Sequence, residues 1–307
     1  MIFRRAAKSD FPEIRELWKK VFGDTDSFLD LYEQVAFHPE NTWIAQKKDR
    51  IVSMSILYYH EDLVQKKKSY GPCPCVYAVA TDPAFRGHGY AMSLIRMQAV
   101  YMDDHYPCSM ISPADEGLDR IYERYFSYKD HFYCTKAMVP LQPEGAKTPE
   151  NGKEAPLLEP VTPATYNRIR ESYLENRQHL QFTNEQLVFE KKSCRLSGGD
   201  LYRVRVNGAE GVCAVEITEE GHARINELLI EEEAMAEAVL FLSTKLKGCS
   251  LEVRTHPWVN GEKLLYWLHR KGFSQAEILE NVPVAQIRFR PKERKKEEEA
   301  YAGFVFD

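Results

Sequence analysis

The sequence lacks the features of a membrane protein or a nucleic-acid-binding protein. It contains no uninterrupted run of about 18 apolar residues, the length that a membrane-spanning helix needs, and its first residues do not resemble a secretion signal. Net positive charge is also absent, because 46 acidic residues outnumber 41 basic ones. A formal charge of −5 gives no general attraction to nucleic acid or anionic lipid. We therefore expect a cytoplasmic protein with no nucleic-acid or membrane partner.

Cysteine pairs and metal-ligating clusters are scarce as well. The seven cysteines are odd in number and scattered, which favours free buried thiols in a reducing compartment over a disulfide framework. Cys73 and Cys75 form the only close pair, and no second pair or histidine cluster accompanies them. The nine histidines do not group with carboxylates at ligand spacing. The sequence therefore predicts no metal site.

Proline is concentrated near the middle of the chain. Six prolines lie between Pro140 and Pro163, together with two glycines and several charged residues, which is the composition of an exposed linker. On both sides of it, short apolar strands and amphipathic helical patterns follow one another in the same order. The two halves therefore look like copies of one α+β fold. The predicted segments are a first domain at 1–140, a linker at 141–162, a second domain at 163–290 and a charged tail with an aromatic end at 291–307.

A glycine-rich turn opens a helix in the first half. The buried strand Val76–Thr81 is followed by Asp82-Pro83 and then by Arg86-Gly87-His88-Gly89-Tyr90-Ala91. Glycine costs about 1 kcal/mol relative to alanine in a helix, so its use here indicates a tight turn or a closely bound ligand. Amide groups at a helix N-terminus attract anions. Because neither a third glycine nor a Gly-Lys-Ser/Thr sequence follows, this is not a dinucleotide-binding motif or a P-loop. We expect a pyrophosphate cradle.

These residues resemble a known family. The stretch from Val79 to Ala91 looks like the Arg/Gln-x-x-Gly-x-Gly/Ala signature of the GCN5-related N-acetyltransferases (GNAT), with Arg86, Gly89 and Ala91 at the matching positions. The resemblance implies two GNAT-like domains in tandem, each a mixed, mostly antiparallel sheet flanked by helices. It also implies acetyl-coenzyme A (acetyl-CoA) as cofactor. The implied cofactor-binding residues are Val79, Ala80, Thr81, Arg86, Gly87, His88, Gly89, Tyr90 and Ala91.

A second stretch resembles the late helix of the same family. In Glu116–Tyr125, Tyr122 takes the position of the tyrosine that protonates the departing thiolate of coenzyme A in many members. The sequence departs from the family where Phe126-Ser127-Tyr128 stands in place of Gly-Phe or Gly-Tyr. The resemblance implies that Tyr122 is the catalytic acid. The alternative is a tyrosine that only packs in the core.

The tandem arrangement resembles the enhanced-intracellular-survival type of acetyltransferase, without its sterol-carrier-like domain. In that branch the terminal carboxylate helps proton transfer, which implies a catalytic role for Asp307; simple surface packing of the tail is the alternative. Other candidates for the base are His60, Glu61 and Glu123. In the second half, Glu231-Glu232-Glu233 stands where a phosphate loop would be, and three carboxylates would repel a pyrophosphate. We expect this half to be a degenerate copy.

The expected function is acetyl-CoA-dependent N-acetylation of a small-molecule or peptide amine. A homo-oligomer, an assembly of identical subunits, is a further possibility. Because no cysteine stands next to an evident base, direct attack in a ternary complex is favoured over a covalent intermediate. The first alternative is a non-catalytic sensor that binds acyl-CoA. The second is a structural protein with two inactive domains.

Overall fold

The computed structural model describes residues 1–140, 155–218, 221–246, 250–290 and 300–303, apart from the side chains of residues 59–61. Its strands are β1 (Ile2–Arg5), β2 (Thr42–Lys47), β3 (Arg50–Gln65), β4 (Lys68–Thr81), β5 (Cys108–Ile111), β6 (Lys129–Val139), β7 (Leu157–Pro160), β8 (His179–Leu180), β9 (Asp200–Val206), β10 (Ala209–Ile217), β11 (Ala223–Leu229), β12 (Leu251–Thr255) and β13 (Glu277–Phe289). Its helices are α1 (Phe11–Phe22), α2 (Asp26–Val35), α3 (Tyr90–His105), α4 (Glu116–Phe126), α5 (Pro163–Leu174), α6 (Asn184–Leu196), α7 (Glu232–Lys245) and α8 (Gly261–Arg270). The predicted α+β class is confirmed.

Local sequence signals define the ends of α1 and α4. α1 has Pro12 in its first turn and is capped by Gly23, whose φ of 79° is readily adopted only by glycine. Trp18 lies on its buried face. In α4, the carboxylate of Asp115 accepts a hydrogen bond from the amide of Leu118 and caps the helix. These caps define where α1 ends and where α4 begins.

The sheet runs without interruption through both halves. The strand order is β1-β2-β3-β4-β5-β13-β6-β12-β11-β10-β9-β7, and β8 pairs with β3 outside this path. Neighbours along the path are antiparallel except β4 with β5 and β11 with β12, which are parallel. Read from either edge towards the centre, the succession of antiparallel and parallel pairs is therefore the same. The two sheets expected for two GNAT-like domains are joined into one mixed sheet.

The two halves exchange strands at the centre of the sheet. β6 belongs to the first half in sequence, yet it pairs with β12 of the second half from Thr135 to Val139. β13 is the last strand of the second half, and it pairs with β5 of the first half from Gln286 to Phe289. The sequence patterns predict no element at 129–139, and they place 157–160, which form β7, within the linker. The predicted domain boundaries along the chain stay a prediction.

Helices cover both faces of the sheet in each half. In the first half, α1 and α2 pack in one apolar cluster and α3 and α4 in another. In the second half, α5 and α6 share a cluster, and α7 and α8 share another. This repetition agrees with two copies of one fold. None of the described helices is long and apolar enough to cross a membrane.

The last described residues lie between the two halves. Ala300 forms a parallel bridge with Phe132 of β6, and Tyr301 forms one with His179 of β8. Both Ala300 and Tyr301 are buried. Tyr301 of the aromatic chain end therefore packs between the two halves, while residues 291–299 and 304–307 lie outside the described part. The six cysteines that are described are buried.

Candidate functional site

A cavity opens where β4 and β5 diverge. The two strands pair only at Cys75 with Met110 and at Val76 with Ile111. Beyond these pairs β4 has a bulge, where its register against β3 shifts and Ala78 has a φ of 46°, a left-handed conformation that is rare for alanine. The gap between the strands contains a cavity of about 490 Å³. A ligand can therefore enter the sheet at a place where ladder hydrogen bonds would otherwise close it.

The cavity wall is largely apolar and comes from both halves. Trp18 and Phe22 of α1 contribute from the first half, and Leu180 and Phe182 contribute from the second. Asp24 is the one carboxylate among the described lining residues. The indole Nε1 of Trp18 donates a hydrogen bond to Asp24 Oδ2 at 2.6 Å. An apolar wall with a few fixed polar groups is the usual composition of a small-molecule site.

The glycine-rich turn lies between the end of β4 and the start of α3. Gly87 and Gly89 have φ values of 79° and 75°, and a Cβ built at either would meet no atom within 4 Å. Glycine is thus required by the backbone conformation, and the space beside it is open. Within the described part of the chain, the amide groups of residues 87–92 have no hydrogen-bond acceptor. Free N–H groups with a helix dipole behind them are the arrangement that attracts anions.

Asp82 fixes the turn that precedes the glycines. Its carboxylate accepts a hydrogen bond from the amide of Ala84 at 3.0 Å and pairs with Lys20 of α1 and Arg50 of β3. The side chain is buried. The hydrogen bond from Lys20 is the main cause that lowers the pKa of Asp82. The end of β4 is therefore tied to two other elements by charge.

The exposed side chains of the turn are held by its own backbone. Arg86 Nε donates to the carbonyl oxygen of Thr81 at 3.3 Å. His88 Nδ1 lies 3.0 Å from the carbonyl oxygen of Arg86, and its ring stacks on Tyr90 with the centroids 5.5 Å apart. These side chains therefore lie beside the free backbone amides of the turn.

Tyr122 of α4 lines the same cavity. Its side chain is only 5% exposed, and burial, followed by the nearby Asp115, raises the pKa of Tyr122 to about 12. The hydroxyl is therefore protonated at neutral pH and can donate its proton to an anion formed in the cavity. Tyr122 is thus both a buried residue and part of the cavity wall.

A family model described as an acetyltransferase (GNAT) domain matches residues 3–126. This range contains the bulge in β4, the glycine-rich turn and Tyr122. The predicted resemblance to the GNAT family is confirmed for residues 3–126. Among curated proteins, none matches the chain significantly.

Solved structures share the fold over nearly the whole chain. A GCN5-related N-acetyltransferase from Anabaena variabilis has 14% identity and a TM-score of 0.67, over 95% of this chain and 73% of that one. Eis1 from Mycobacterium abscessus has 11% identity and a TM-score of 0.66, over 95% and 75%. A putative acetyltransferase from Pyrococcus horikoshii has 12% identity and a TM-score of 0.59, over 99% and 95%. The predicted fold, two GNAT-like halves in one chain, is confirmed.

The side chains of Val79, Ala80 and Thr81, the three strand residues predicted to bind cofactor, lie in different surroundings. Val79 lines the cavity. The side chain of Ala80 is buried in an apolar core cluster, so Ala80 can offer only backbone groups to a ligand. Thr81 Oγ1 lies 2.9 Å from the hydroxyl oxygen of Ser53. Of these side chains, the structure places that of Val79 at the cavity.

Among the candidate bases, only Glu123 has a side chain in the described part of the chain. Glu123 is exposed on α4 and is not one of the described residues that line the cavity. The backbones of His60 and Glu61 lie in β3, but their side chains are outside the described part. Asp307 is also outside the described residues.

The chain end leading to Asp307 starts beside the cavity wall. Gly303 is the last described residue, and a Cβ built on it would lie 3.0 Å from the ring of Phe182, which lines the cavity. Residues 304–307 follow Gly303, and four extended residues span up to about 14 Å. A role for Asp307 stays a prediction.

At the start of α7, the described part of the second half has no glycine-rich turn. α7 begins at Glu232, directly after Glu231. Glu232 and Glu233 both pair with Lys263 of α8. Carboxylates at this helix end compensate the dipole and oppose a phosphate. That the second half is a degenerate copy stays a prediction.

Another group of three side chains comes together without any signal in the sequence. Potential ligand atoms of Glu190, Cys194 and Glu216 lie within 4.8 Å of one another in the second half. Burial, followed by the charge of Glu216, raises the pKa of Glu190 to about 8. A proton on Glu190 therefore accounts for the close carboxyl groups, and we propose no metal site there.

Proposed function

We propose that the protein is an acetyl-CoA-dependent N-acetyltransferase that acts on a primary amine by direct attack in a ternary complex. The observation that carries this proposal is a continuous arrangement of three features. The free amides of residues 87–92 lie at the end of β4, the cavity lies beside β4, and Tyr122 forms part of its wall. This arrangement suits a ligand with a pyrophosphate at one end and a thioester at the other.

The residues present fit acetyl-CoA. Gly87 and Gly89 leave open space beside unpartnered amides, which can hold a pyrophosphate. Acetyl-CoA, when bound, supplies the acetyl thioester. Backbone N–H groups of Val79–Thr81, beside the bulge, would polarise the thioester carbonyl and serve as a small oxyanion site. Arg86 and His88 lie around the phosphate site.

Tyr122 would donate the proton that the departing thiolate needs. Its pKa of about 12 is higher than the value near 8.5 of an ordinary thiol, and in water this difference would oppose the transfer. In the cavity, however, burial disfavours both anions, just as burial raises the pKa of the Cys213 thiol in this protein. The pKa values of Tyr122 and of the coenzyme A thiol are therefore closer to each other in the cavity than in water.

Asp24 suits an acceptor that carries a positive charge. It is a carboxylate within an otherwise apolar and aromatic wall, where an ammonium group gains from both the charge and the rings. The attacking amine must be neutral, although a lysine-like ammonium has a pKa of about 10.4. Its proton would pass to a base, either Asp307 or a water molecule. Small amines and lysine peptides both suit this site as classes of acceptor substrate.

The test combines an acceptor panel with one substitution. Acetyl-CoA is incubated with polyamines, aminoglycosides and lysine peptides, and thiol release is followed. Tyr122→Phe should lower kcat at least about 100-fold with unchanged affinity for acetyl-CoA. Tyr125→Phe is the matched control, because Tyr125 is exposed on the same helix. A wild-type rate for Tyr122→Phe would contradict the proposed acid.

The same assay separates the acyltransferase from the alternatives. Saturating acetyl-CoA should raise the melting temperature if it binds the native state. A rise in melting temperature without turnover on any amine would favour an acyl-CoA sensor. No rise at all would favour a structural protein.

A further inference from the structure

The cavity of the first half is completed by the last strand of the second half. β13 lies between β5 and β6, and it pairs with β5 at the point where that strand leads into the cavity. Ser112 lines the cavity just after β5. Its hydroxyl donates a hydrogen bond to the carbonyl oxygen of Val284 on β13 at 2.8 Å. A segment of the second half therefore supports the cavity wall of the GNAT domain.

Gln286 makes a side-chain contact from the same strand. It is opposite Ile111 of β5 and is only 2% exposed. Its Nε2 donates a hydrogen bond to Oδ1 of Asp119 on α4 and lies 3.4 Å from Oδ1 of Asp130. Asp119 precedes Tyr122 by three residues, so the two side chains project from the same side of α4. Gln286 thus contacts the helix that carries Tyr122, one turn away from it.

A glutamine at this buried position has a cost for the fold. Its Oε1 has no hydrogen-bond partner among the described residues, and a buried polar atom without a partner is unfavourable. Burial, followed by the neighbouring Asp130, raises the pKa of Asp119, so its carboxyl group lies in a setting that disfavours the charge. A leucine at 286 would remove the cost at Oε1, but it would leave the Asp119 carboxyl group without the hydrogen bond from Gln286. Departures of this kind from good packing are expected at functional sites.

We propose that Gln286 is a positioning residue for Tyr122. Its amide, fixed in β13, holds α4 through Asp119 and keeps the Tyr122 hydroxyl in the cavity at the geometry required for proton donation. This inference rests on the proposed function, since it requires Tyr122 to be the acid. It assigns a role to the half without a phosphate turn: that half supplies the strand that aligns the acid of the other.

Arg288 provides a matched control on the same strand. It lies two residues after Gln286, and therefore on the same face of β13. Arg288 pairs with Asp103 of α3, a helix that does not carry Tyr122. Substituting Arg288 also removes a polar contact between β13 and a helix. The hydrogen bond between Gln286 and Asp119 of α4 stays in place in this variant.

The experiment is a double-mutant cycle in the full chain, with kcat and KM measured by thiol release. Gln286→Leu should lower kcat about 10- to 100-fold, with the KM for acetyl-CoA changed less than about twofold. In the Tyr122→Phe background, the same change should lower kcat by less than about twofold, because the group it positions is gone. Arg288→Met should leave kcat at the wild-type level. A purely structural role would instead reduce kcat by the same factor in both backgrounds.

Each outcome decides between the two proposals. If Tyr122→Phe lowers kcat and Gln286→Leu acts equally in both backgrounds, or has no effect, only the positioning role is overturned. If Tyr122→Phe keeps the wild-type kcat, the acid role of Tyr122 and the positioning role of Gln286 are both overturned, while the proposed acetyl transfer stands. Melting temperatures with and without acetyl-CoA identify misfolded variants, and Gln286→Met repeats the cycle if Gln286→Leu does not fold. Failure of both variants to fold would assign Gln286 to stability and overturn the positioning role.

Discussion

Arg170 and Glu227 form an ion pair in which neither side chain has any solvent exposure. Arg170 Nε lies 3.0 Å from Glu227 Oε1, and the hydroxyl of Tyr166 donates to Glu227 Oε2 at 2.8 Å. The guanidinium also lies 4.2 Å from the ring centroid of Phe182, a residue of the cavity wall. The pair therefore connects α5 and β11 of the second half to the cavity of the first.

Removing one partner of this pair should destabilise the protein strongly. Arg170→Met leaves the carboxylate of Glu227 buried without its cation, and we expect the free energy of unfolding to fall by about 3–5 kcal/mol. Urea unfolding measures the loss. Arg120→Met is the control, because the Arg120–Glu116 pair is exposed and should contribute less than about 1 kcal/mol. Equal losses in the two variants would show that burial does not control the strength of the Arg170 pair.

The glycine-rich turn predicts a separation between stability and cofactor affinity. Gly87→Ala forces alanine to a φ near 79°, and Gly208→Ala forces it to a φ near 84° in the β9–β10 turn. Both changes introduce strain of about 1–2 kcal/mol, and neither added Cβ meets an atom within 4 Å. Only Gly87→Ala should weaken acetyl-CoA binding, because its Cβ occupies the space beside the free amides. Calorimetric titration with coenzyme A checks this, and equal affinities of the two variants would contradict a phosphate site at the turn.

The parts of the site that could be predicted from the sequence depend on local structure. Gly87 and Gly89 can be recognised in the sequence because a positive φ at a helix start favours glycine. Tyr122 is assigned only by the resemblance of its helix, α4, to the late helix of the GNAT family. Asp24 and Phe182 carry no comparable signal. They reach the cavity only because α1 and the segment after β8 pack beside β4, which is a tertiary relationship.

The exchange of β6 and β13 could not be predicted for a related reason. An alternating apolar pattern indicates which face of a strand is buried, but it does not identify the neighbouring strand. The pattern near the chain end predicts a strand at 284–290, and the structure extends it back to Glu277. That extension pairs with β6, whose own pattern at 129–139 predicts no element. The central strands are thus assigned by contacts between residues far apart in the chain.

Asp82 predicts a pH dependence of stability. Its pKa is lowered in the folded protein, chiefly by the hydrogen bond from Lys20, so its contribution is present above the unfolded value near 3.8. The contribution is lost as the pH falls through the lower folded pKa. The difference in melting temperature between wild type and Asp82→Asn should therefore be greatest at neutral pH and shrink below about pH 4. A difference that stays constant from pH 7 to pH 3 would show that the charge of Asp82 is not what stabilises the turn.

Asp24 gives the sharpest prediction about the acceptor. Asp24→Asn keeps an oxygen that can accept the hydrogen bond from Trp18 Nε1, so the fold should persist while the negative charge of the cavity is lost. A charged hydrogen bond contributes about 1.5–3 kcal/mol, and its loss should raise the KM for a diamine roughly tenfold or more. The KM for acetyl-CoA should not change, because the free amides and Tyr122 remain.

Asp26→Asn is the matched control for this change. Asp26 lies two residues further along, is exposed and pairs with Arg15 and Lys19. It does not belong to the described residues of the cavity wall, so the KM for the diamine should stay at the wild-type value. If the two variants had the same KM, Asp24 would be a partner of Trp18 alone, and recognition of the amine would have to come from the aromatic wall.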